Sequence, residues 1–442
     1  MELIKKEQIQ DISKRLKEGQ MPPGIDKINK YQYVLREDEY IDIVLKGINS
    51  GKYQFSKYKQ LLKLKDANSY PRQISIPVLR DKLMLKVVDE HYLKPLLGER
   101  KHVREIVEGV NKDIQSKKYD EFIKIDIEKF FDSIDLRILL AKLKESSVNV
   151  NIVKIIEKAL KTVTVDIKQN SKNLDRLDET IVSGVKQGIT ISNSLAEIYL
   201  LDFDKKFNNM EGIKYYRFVD DILILYNSKN ITKATILNEI KTELELLKLR
   251  EKITKRLIGK LEKTDFMFLG YLFKNNKISI APGILHKKEK QIERVIFDFK
   301  NLRKKRPIEY LQWKLDLEIK GFVSNGKFYG WLKVYQSLTD LSLLYHLNDV
   351  VKKLLARAGY KDKINPISFI KSYHSIRARK ADGVVNFDSR YKNVSQKEKF
   401  LNDTLSIKTD NLEDEVIENI FNDAVRKLIF EFERDLDFKY GI

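Results

Sequence analysis

The sequence predicts an α+β fold: strands and helices alternate up to residue 283, and helices fill the rest. Three observations lead there. Residues 122–127, Phe-Ile-Lys-Ile-Asp-Ile, form a β-prone run that sets Asp126 among apolar neighbours. Residues 215–226, Tyr-Tyr-Arg-Phe-Val-Asp-Asp-Ile-Leu-Ile-Leu-Tyr, read as two strands joined by a tight turn at Asp220 and Asp221. Beyond residue 284 the apolar positions recur at helical spacing, as in Val416, Ile417, Ile420, Phe421, Ala424, Leu428, Ile429, Phe432 and Leu436.

Taken in order, residues 1–48 read as helix broken near Met21-Pro-Pro-Gly24, where proline and glycine stop a helix. A stretch over 53–65 leads to Arg72 and Pro77. A helix is predicted over 81–97, with Leu83, Val87, Val88 and Tyr92 on one face and Asp81 countering the free N–H groups of its first turn. Helices follow over 136–146 and 152–163, then a polar loop over 168–179. A helix over 193–207 precedes the Asp-Asp hairpin, an amphipathic helix over 232–249 follows it, and 277–281 is a final strand. Pro282-Gly283 reads as a boundary. In the remainder, helical stretches are interrupted by one loop at 383–388. The predicted domains are therefore an N-terminal helical extension (1–48), a strand-containing domain (49–283) and an all-α C-terminal domain (284–442), too large for a simple three-helix unit.

Composition narrows the chemistry. Of 442 residues, 42% are hydrophobic and 10% aromatic, enough for a packed core. A formal charge of +20 biases partners towards polyanions. The chain has no cysteine, which excludes disulfides, zinc ribbons and thiol catalysis, and its five histidines lack metal-ligand spacing. The N-terminus is charged where a signal peptide would be apolar, and no apolar run is long enough for a membrane span. A cytoplasmic protein without a membrane partner is expected.

A strand tip that carries two carboxylates is unfavourable unless a cation neutralises it. Two such tips, at Asp126 and at Asp220-Asp221, suggest one shared divalent-metal site. The order of motifs is also informative: an acidic strand, then the Gln187-Gly188 loop opening a helix, then Phe218-Val-Asp-Asp221. This order resembles the palm of reverse transcriptases. Arg72-Gln-Ile-Ser-Ile-Pro77 followed by Asp81-Lys82 resembles that family's fingers motif, and Phe268-Leu-Gly-Tyr271 its primer grip. The resemblance implies a right-hand polymerase core of fingers and palm, with residues 284–442 as a thumb replacement or helical array. It implies that Asp126 and Asp220 hold Mg2+, or alternatively Mn2+, with Asp221 as third carboxylate and the Ile127 backbone carbonyl as a further ligand. Phe131 becomes the steric gate that selects dNTPs, with Phe130 in the core. Gln187, Gly188 and Phe218 lie against nucleotide or template; Arg72, aided by Lys82 or Lys65, grips the triphosphate; Lys255 falls where polymerases place a general-acid lysine. Asp132 is read as a helix cap or surface acid.

Two departures refine the resemblance. Phe218 stands where most templated enzymes carry tyrosine, and Ser192-Asn193 replaces the usual Ser-Pro after the Gln-Gly loop. Both resemble the bacterial phage-defence, abortive-infection (AbiK-like) reverse transcriptases. That group implies a homo-oligomer making single-stranded DNA without a template, primed by and covalently attached to a protein tyrosine. Tyr345, Tyr360, Tyr373 and Tyr391 lie in the helical region, among 21 tyrosines. The alternative is a templated enzyme copying a partner non-coding RNA, as retrons do. A non-enzymatic nucleic-acid scaffold is disfavoured, because a relic palm has no reason to keep its acids.

Overall fold

A computed structural model of the chain describes residues 3–19, 21–64, 70–99, 101–166, 175–302, 306–378 and 384–435. Lys65, residues 168–174 of the polar loop and Gly383 lie outside the described residues. The chain forms two compact units: residues 1–100 with 121–258, and residues 101–120 with 259–442. Residues 1–48 thus belong to the unit that holds the Asp-Asp hairpin, and 259–283 to the other.

The first unit opens with α1 (Lys6–Glu18), α2 (Lys30–Val34) and α3 (Glu37–Ser50), the last stopped by Gly51 in the left-handed region. Strands β1 (Tyr58–Lys63) and β2 (Arg72–Ile76) pair antiparallel. Helix α4 (Leu79–Val88) continues through one π-helical turn at Asp89–Leu93 into α5 (Lys94–Leu97), so the predicted helix is present but locally widened by an inserted residue. Asp81 does fall in its first turn, but its carboxylate does not serve the helix amides. It is buried and accepts from the Tyr53 hydroxyl (2.7 Å), the Ser56 N–H (2.7 Å) and the Arg80 guanidinium. The helix α6 (Val103–Gln115) belongs to the second unit.

Strand β3 (Glu121–Asp126) follows, then α7 (Phe130–Ser133), α8 (Leu136–Glu145), α9 (Val150–Lys161) and the short β4 (Thr164–Val165), which pairs parallel with β1. Next come α10 (Ser192–Tyr199), α11 (Leu201–Asn209), β5 (Ile213–Phe218), β6 (Asp221–Tyr226), α12 (Lys233–Leu246) and β7 (Leu257–Lys260). The central sheet has the order β5-β6-β3-β7. Ile222 to Leu225 are all apolar, and every residue of β6 is buried, as an interior strand covered on both faces requires. Apolar residues of α8 to α12 pack with this sheet in one core.

In the second unit, α6 is tied by Arg104 to Gln336 (2.7 Å) and by Gln115 to the Asn276 carbonyl (2.9 Å). Strands β8 (Phe266–Phe268), β9 (Tyr271–Lys274) and β10 (Lys277–Ile280) form a sheet of order β10-β9-β8. The β8–β9 turn has Leu269 and Gly270 both at positive φ, which suits the twist of a two-residue hairpin. Pro282-Gly283, read from sequence as a boundary, instead opens α13 (Pro282–Leu302), since proline is compatible with a first helical turn. Helices α14 (Ile308–Lys320), α15 (Trp331–Val334), α16 (Ser342–Ala358), α17 (Phe369–Arg377), α18 (Phe387–Arg390), α19 (Val394–Lys399) and α20 (Asp414–Asp435) make this region predominantly helical. It is not purely α, however. Strands β11 (Phe322–Ser324), β12 (Lys327–Tyr329) and β13 (Val385–Asn386) form a small sheet of order β12-β11-β13. Part of the predicted 383–388 loop is thus a strand, pairing parallel with β11 and packing Phe387 edge-on to Phe322 at 5.2 Å. No described helix is long and apolar enough to cross a membrane.

Asp135 caps α8, accepting from the N–H groups of Arg137 (2.9 Å) and Ile138 (3.3 Å), and it meets Lys248 Nζ at 2.7 Å. Burial works to raise its pKa, but Lys248 and the two amides outweigh burial and hold it below the ordinary value. The stabilisation is therefore complete above the ordinary aspartate pKa of about 4 and is lost as pH falls through the lower folded value. Asp135→Ala should lose about 1–2 kcal/mol near neutrality and lose less on acidification than the parent, measured by urea unfolding across that range.

Candidate active site

Asp126 is the last residue of β3, and Asp221 the first of β6; the two stand opposite each other in the antiparallel register. Phe218 pairs with Asp221 across the β5–β6 hairpin, leaving Val219 and Asp220 as its two-residue loop. Asp126 is 3% exposed and Asp221 5%, whereas Asp220 is half-buried. Two buried carboxylates on adjacent strands repel, so this strand end must be neutralised by cations. Val219 has φ +56°, a left-handed conformation that is strained for a β-branched residue and costs on the order of 1–3 kcal/mol. The Ile127 N–H donates to the Asp220 carbonyl at 3.2 Å, tying the loop to the end of β3.

Two ammonium groups already face these acids. Lys255 Nζ is paired with Asp126 Oδ2, and Lys124 Nζ lies 3.8 Å from Asp221 Oδ1. Lys255 is delivered by a segment zipped to the end of β3. The Lys252 N–H donates to the Asp126 carbonyl (2.8 Å) and the Glu128 N–H to the Arg250 carbonyl (2.8 Å), and a 3₁₀ turn over Ile253–Lys255 follows. Among the described residues, no group of three or more His, Asp or Glu side chains is drawn together tightly enough to form a metal cage as positioned. The donor chemistry nevertheless fits a hard divalent cation: oxygen ligands only, on a rigid strand end, with one of them already holding a positive charge.

The other residues singled out by sequence fall as follows. Phe130 is buried in the core, and Phe131 is half-buried against it, 5.7 Å between ring centroids. Asp132 is exposed in the first turn of α7. Gln187 and Gly188 lie in the loop before α10, and the Gln187 carbonyl accepts from the Ser75 N–H at 2.7 Å. Gly188 has φ +99°, and a Cβ there would meet Ile74 Cγ2 at 2.5 Å and the Ser75 carbonyl at 2.8 Å. The close approach this glycine permits is thus to strand β2. Arg72 is exposed at the start of β2. Lys82 is half-buried on α4; burial, reinforced by Lys86, pushes its pKa down to about 8.

Two residues at the site were not assigned a role from sequence: Lys124, which faces Asp221, and Arg217. Arg217, with its side chain 6% exposed, donates to Asp204 Oδ1 (2.7 Å), Glu197 Oε2 (2.6 Å) and the Val219 carbonyl (2.9 Å). Burial disfavours its charge, but Asp204 and Glu197 outweigh that, so its pKa is held well above the ordinary value. The available signal was an arginine inside an apolar strand, with two acids seven residues apart on the preceding helical stretch.

A sequence profile of the family described as reverse transcriptase (RNA-dependent DNA polymerase) matches residues 63–311, more than half of the chain. The chain belongs to the reverse-transcriptase family. No curated protein gives a match. Among solved structures, similarity is found to telomerases of two Candida species. Apo telomerase of Candida tropicalis is 12% identical, with 91% of this chain and 76% of that one covered and a TM-score of 0.45. Telomerase of Candida albicans, in complex with a fragment of telomeric RNA, is 14% identical, with 93% and 69% covered and a TM-score of 0.40. Against Candida tropicalis telomerase truncated from its C-terminal domain, identity is 14% and the TM-score 0.38; the match covers 51% of this chain and spans 55% of that one's length.

Gly188→Ala adds both a disallowed φ and a collision with β2. The variant is expected to lose about 1–3 kcal/mol of stability, read as a lower midpoint of chemical unfolding with an unchanged slope.

Proposed function

We propose that this protein is a DNA polymerase of the reverse-transcriptase type, adding dNTPs by two-metal nucleotidyl transfer. The observation that carries the reading is the register of Asp126 against Asp221, with Asp220 in the strained loop between the strands. Asp126, Asp220 and Asp221, with the Ile127 carbonyl, would hold Mg2+, or Mn2+ in its place. Bound divalent ions supply charge neutralisation at the α-phosphate and at the entering and leaving oxygens. The residues of the chain do the positioning. Phe131 stands as the gate beneath the sugar, backed by Phe130. Arg72 and Lys82 offer cationic donors to the triphosphate. The Gln187-Gly188 loop, anchored on β2, and Phe218, at the mouth of the hairpin, border the nucleotide. Lys255, at present paired with Asp126, supplies an N–H donor to the leaving pyrophosphate once that carboxylate takes a metal.

The finer reading is an abortive-infection enzyme of the bacterial cytoplasm, a homo-oligomer that makes single-stranded DNA untemplated from its own tyrosine. Its support is Phe218 and the absence of proline after the Gln-Gly loop, where Ser192 opens α10 and donates to the Lys186 carbonyl. A priming phenol must be reachable by the nucleotide. Tyr360 and Tyr373 are buried, and the Tyr373 hydroxyl is engaged by the carbonyls of Gln336 and Leu338. Tyr391 is half-buried, whereas Tyr345 is 58% exposed and Tyr70 96%. Tyr345 and Tyr70, together with Tyr31 at 71% exposed, therefore meet that condition.

Purified protein incubated with dNTPs and Mg2+, then treated with protease or nuclease, should show DNA attached to protein without added RNA. Synthesis that depends on a co-purified RNA would instead establish the templated alternative. Asp220→Ala should abolish incorporation while keeping the circular-dichroism spectrum; synthesis by the folded variant would refute the site. Phe131→Ala should relax discrimination against rNTPs by about 10- to 100-fold, measured as the ratio of kcat/KM values. In phage-challenged cells, Asp220→Ala should also remove protection.

A further inference from the structure

We infer that Arg217, itself held by Glu197 and Asp204, is the positioning residue of the catalytic loop, clamping the Val219 carbonyl so that Asp220 and Asp221 face Asp126. The inference rests on the polymerase reading above and deepens it. The two-residue loop has two carbonyls, and each is held from a different side. The Asp220 carbonyl takes the Ile127 N–H from the end of β3, and the Val219 carbonyl takes Arg217 Nη1 at 2.9 Å. With both peptide groups fixed, Val219 cannot relax out of its left-handed conformation without breaking one of these hydrogen bonds, of which the Arg217 bond is partly buried. The strain is thereby kept in the loop, and the directions of the two aspartates with it.

The clamp needs arginine. Nε and Nη2 are used on the two acids while Nη1 reaches the loop, three directions that a planar guanidinium offers at once and a single ammonium does not. Its anchors are on α10 and α11, the helices that follow the Gln187-Gly188 loop, so the hairpin is held to that layer as well as to its own sheet. Tyr215, two residues earlier on β5, donates to the same Asp204 oxygen at 2.7 Å and keeps that carboxylate in place.

The test is Mn2+ binding, followed by electron paramagnetic resonance on the full chain without nucleotide. Arg217→Lys should bind Mn2+ about 10- to 100-fold more weakly, with kcat reduced and the KM for dNTP little changed. Adding Val219→Gly, which removes the strain the clamp holds, should recover much of the lost affinity. If Arg217→Lys fails to fold, Glu197→Gln and Asp204→Asn each remove one anchor and should give smaller losses in the same direction. Parent-like Mn2+ affinity in the folded lysine variant, or in both anchor variants, overturns the inference, as does a double variant that recovers nothing. Asp220→Ala separates this from failure of the polymerase reading: if it too binds Mn2+ like the parent, the site itself was misplaced.

Discussion

The antiparallel pairing of β3 with β6 is the constraint on which the rest of the candidate site depends. Its register sets two carboxylates side by side at the end of a sheet in which the interior strand β6 is wholly buried. Like charges in a dry setting are tolerated only where the surroundings compensate for them. The compensation here comes from three cationic side chains with different roles. Lys255 and Lys124 are directed at the acids themselves, and ammonium groups on flexible stems can move aside. Arg217 is directed at the backbone of the loop, and it is fixed by carboxylates of its own. Exchangeable charge thus meets the carboxylates, and permanent charge meets the scaffold.

The surrounding elements can be understood as supports for that strand end. The Gln187-Gly188 loop is pinned to β2 by a hydrogen bond and by a glycine that leaves no room for a side chain. Asp81 gathers Tyr53, Ser56 and Arg80 around one buried carboxylate, joining the segment before β1 to α4. Asp135 performs a comparable task between α8 and the chain after α12. Each is a buried or capped acid satisfied by several donors, the condition under which burying a charge is tolerable.

Much of this was legible in the sequence, for identifiable reasons. β3, β5 and β6 announce themselves because strongly β-prone apolar residues flank acids that have no place in an ordinary strand. The helices of residues 81–97 and 232–249 follow from spacing alone. The features that escaped depend on partners distant in the chain. Nothing local tells that Asp81 faces Tyr53 rather than its own helix amides, or that Gly188 abuts Ser75. The small β11–β13 sheet was invisible because its strands are two or three residues long and one pairs with a segment some sixty residues away. Arg217 could be read as an oddity, but its role appears only once two helices bring their acids to it.

The division of the chain also bears on how the protein is made. Helix α6 belongs to the second unit, yet it is translated before the sheet of the first unit is complete. Ile106, Val107, Val110 and Ile114 form its buried face, while polar ties join it to partners beyond residue 258, Arg104 to Gln336 and Gln115 to the Asn276 carbonyl. At synthesis rates of about 5–20 residues per second, those partners emerge from the ribosome roughly 10–30 s later. For that interval the nascent chain carries an amphipathic helix with nowhere to dock, a natural handle for a chaperone. A chain cut off after residue 258 would never escape that state, so the second unit cannot be shed as a simple tail.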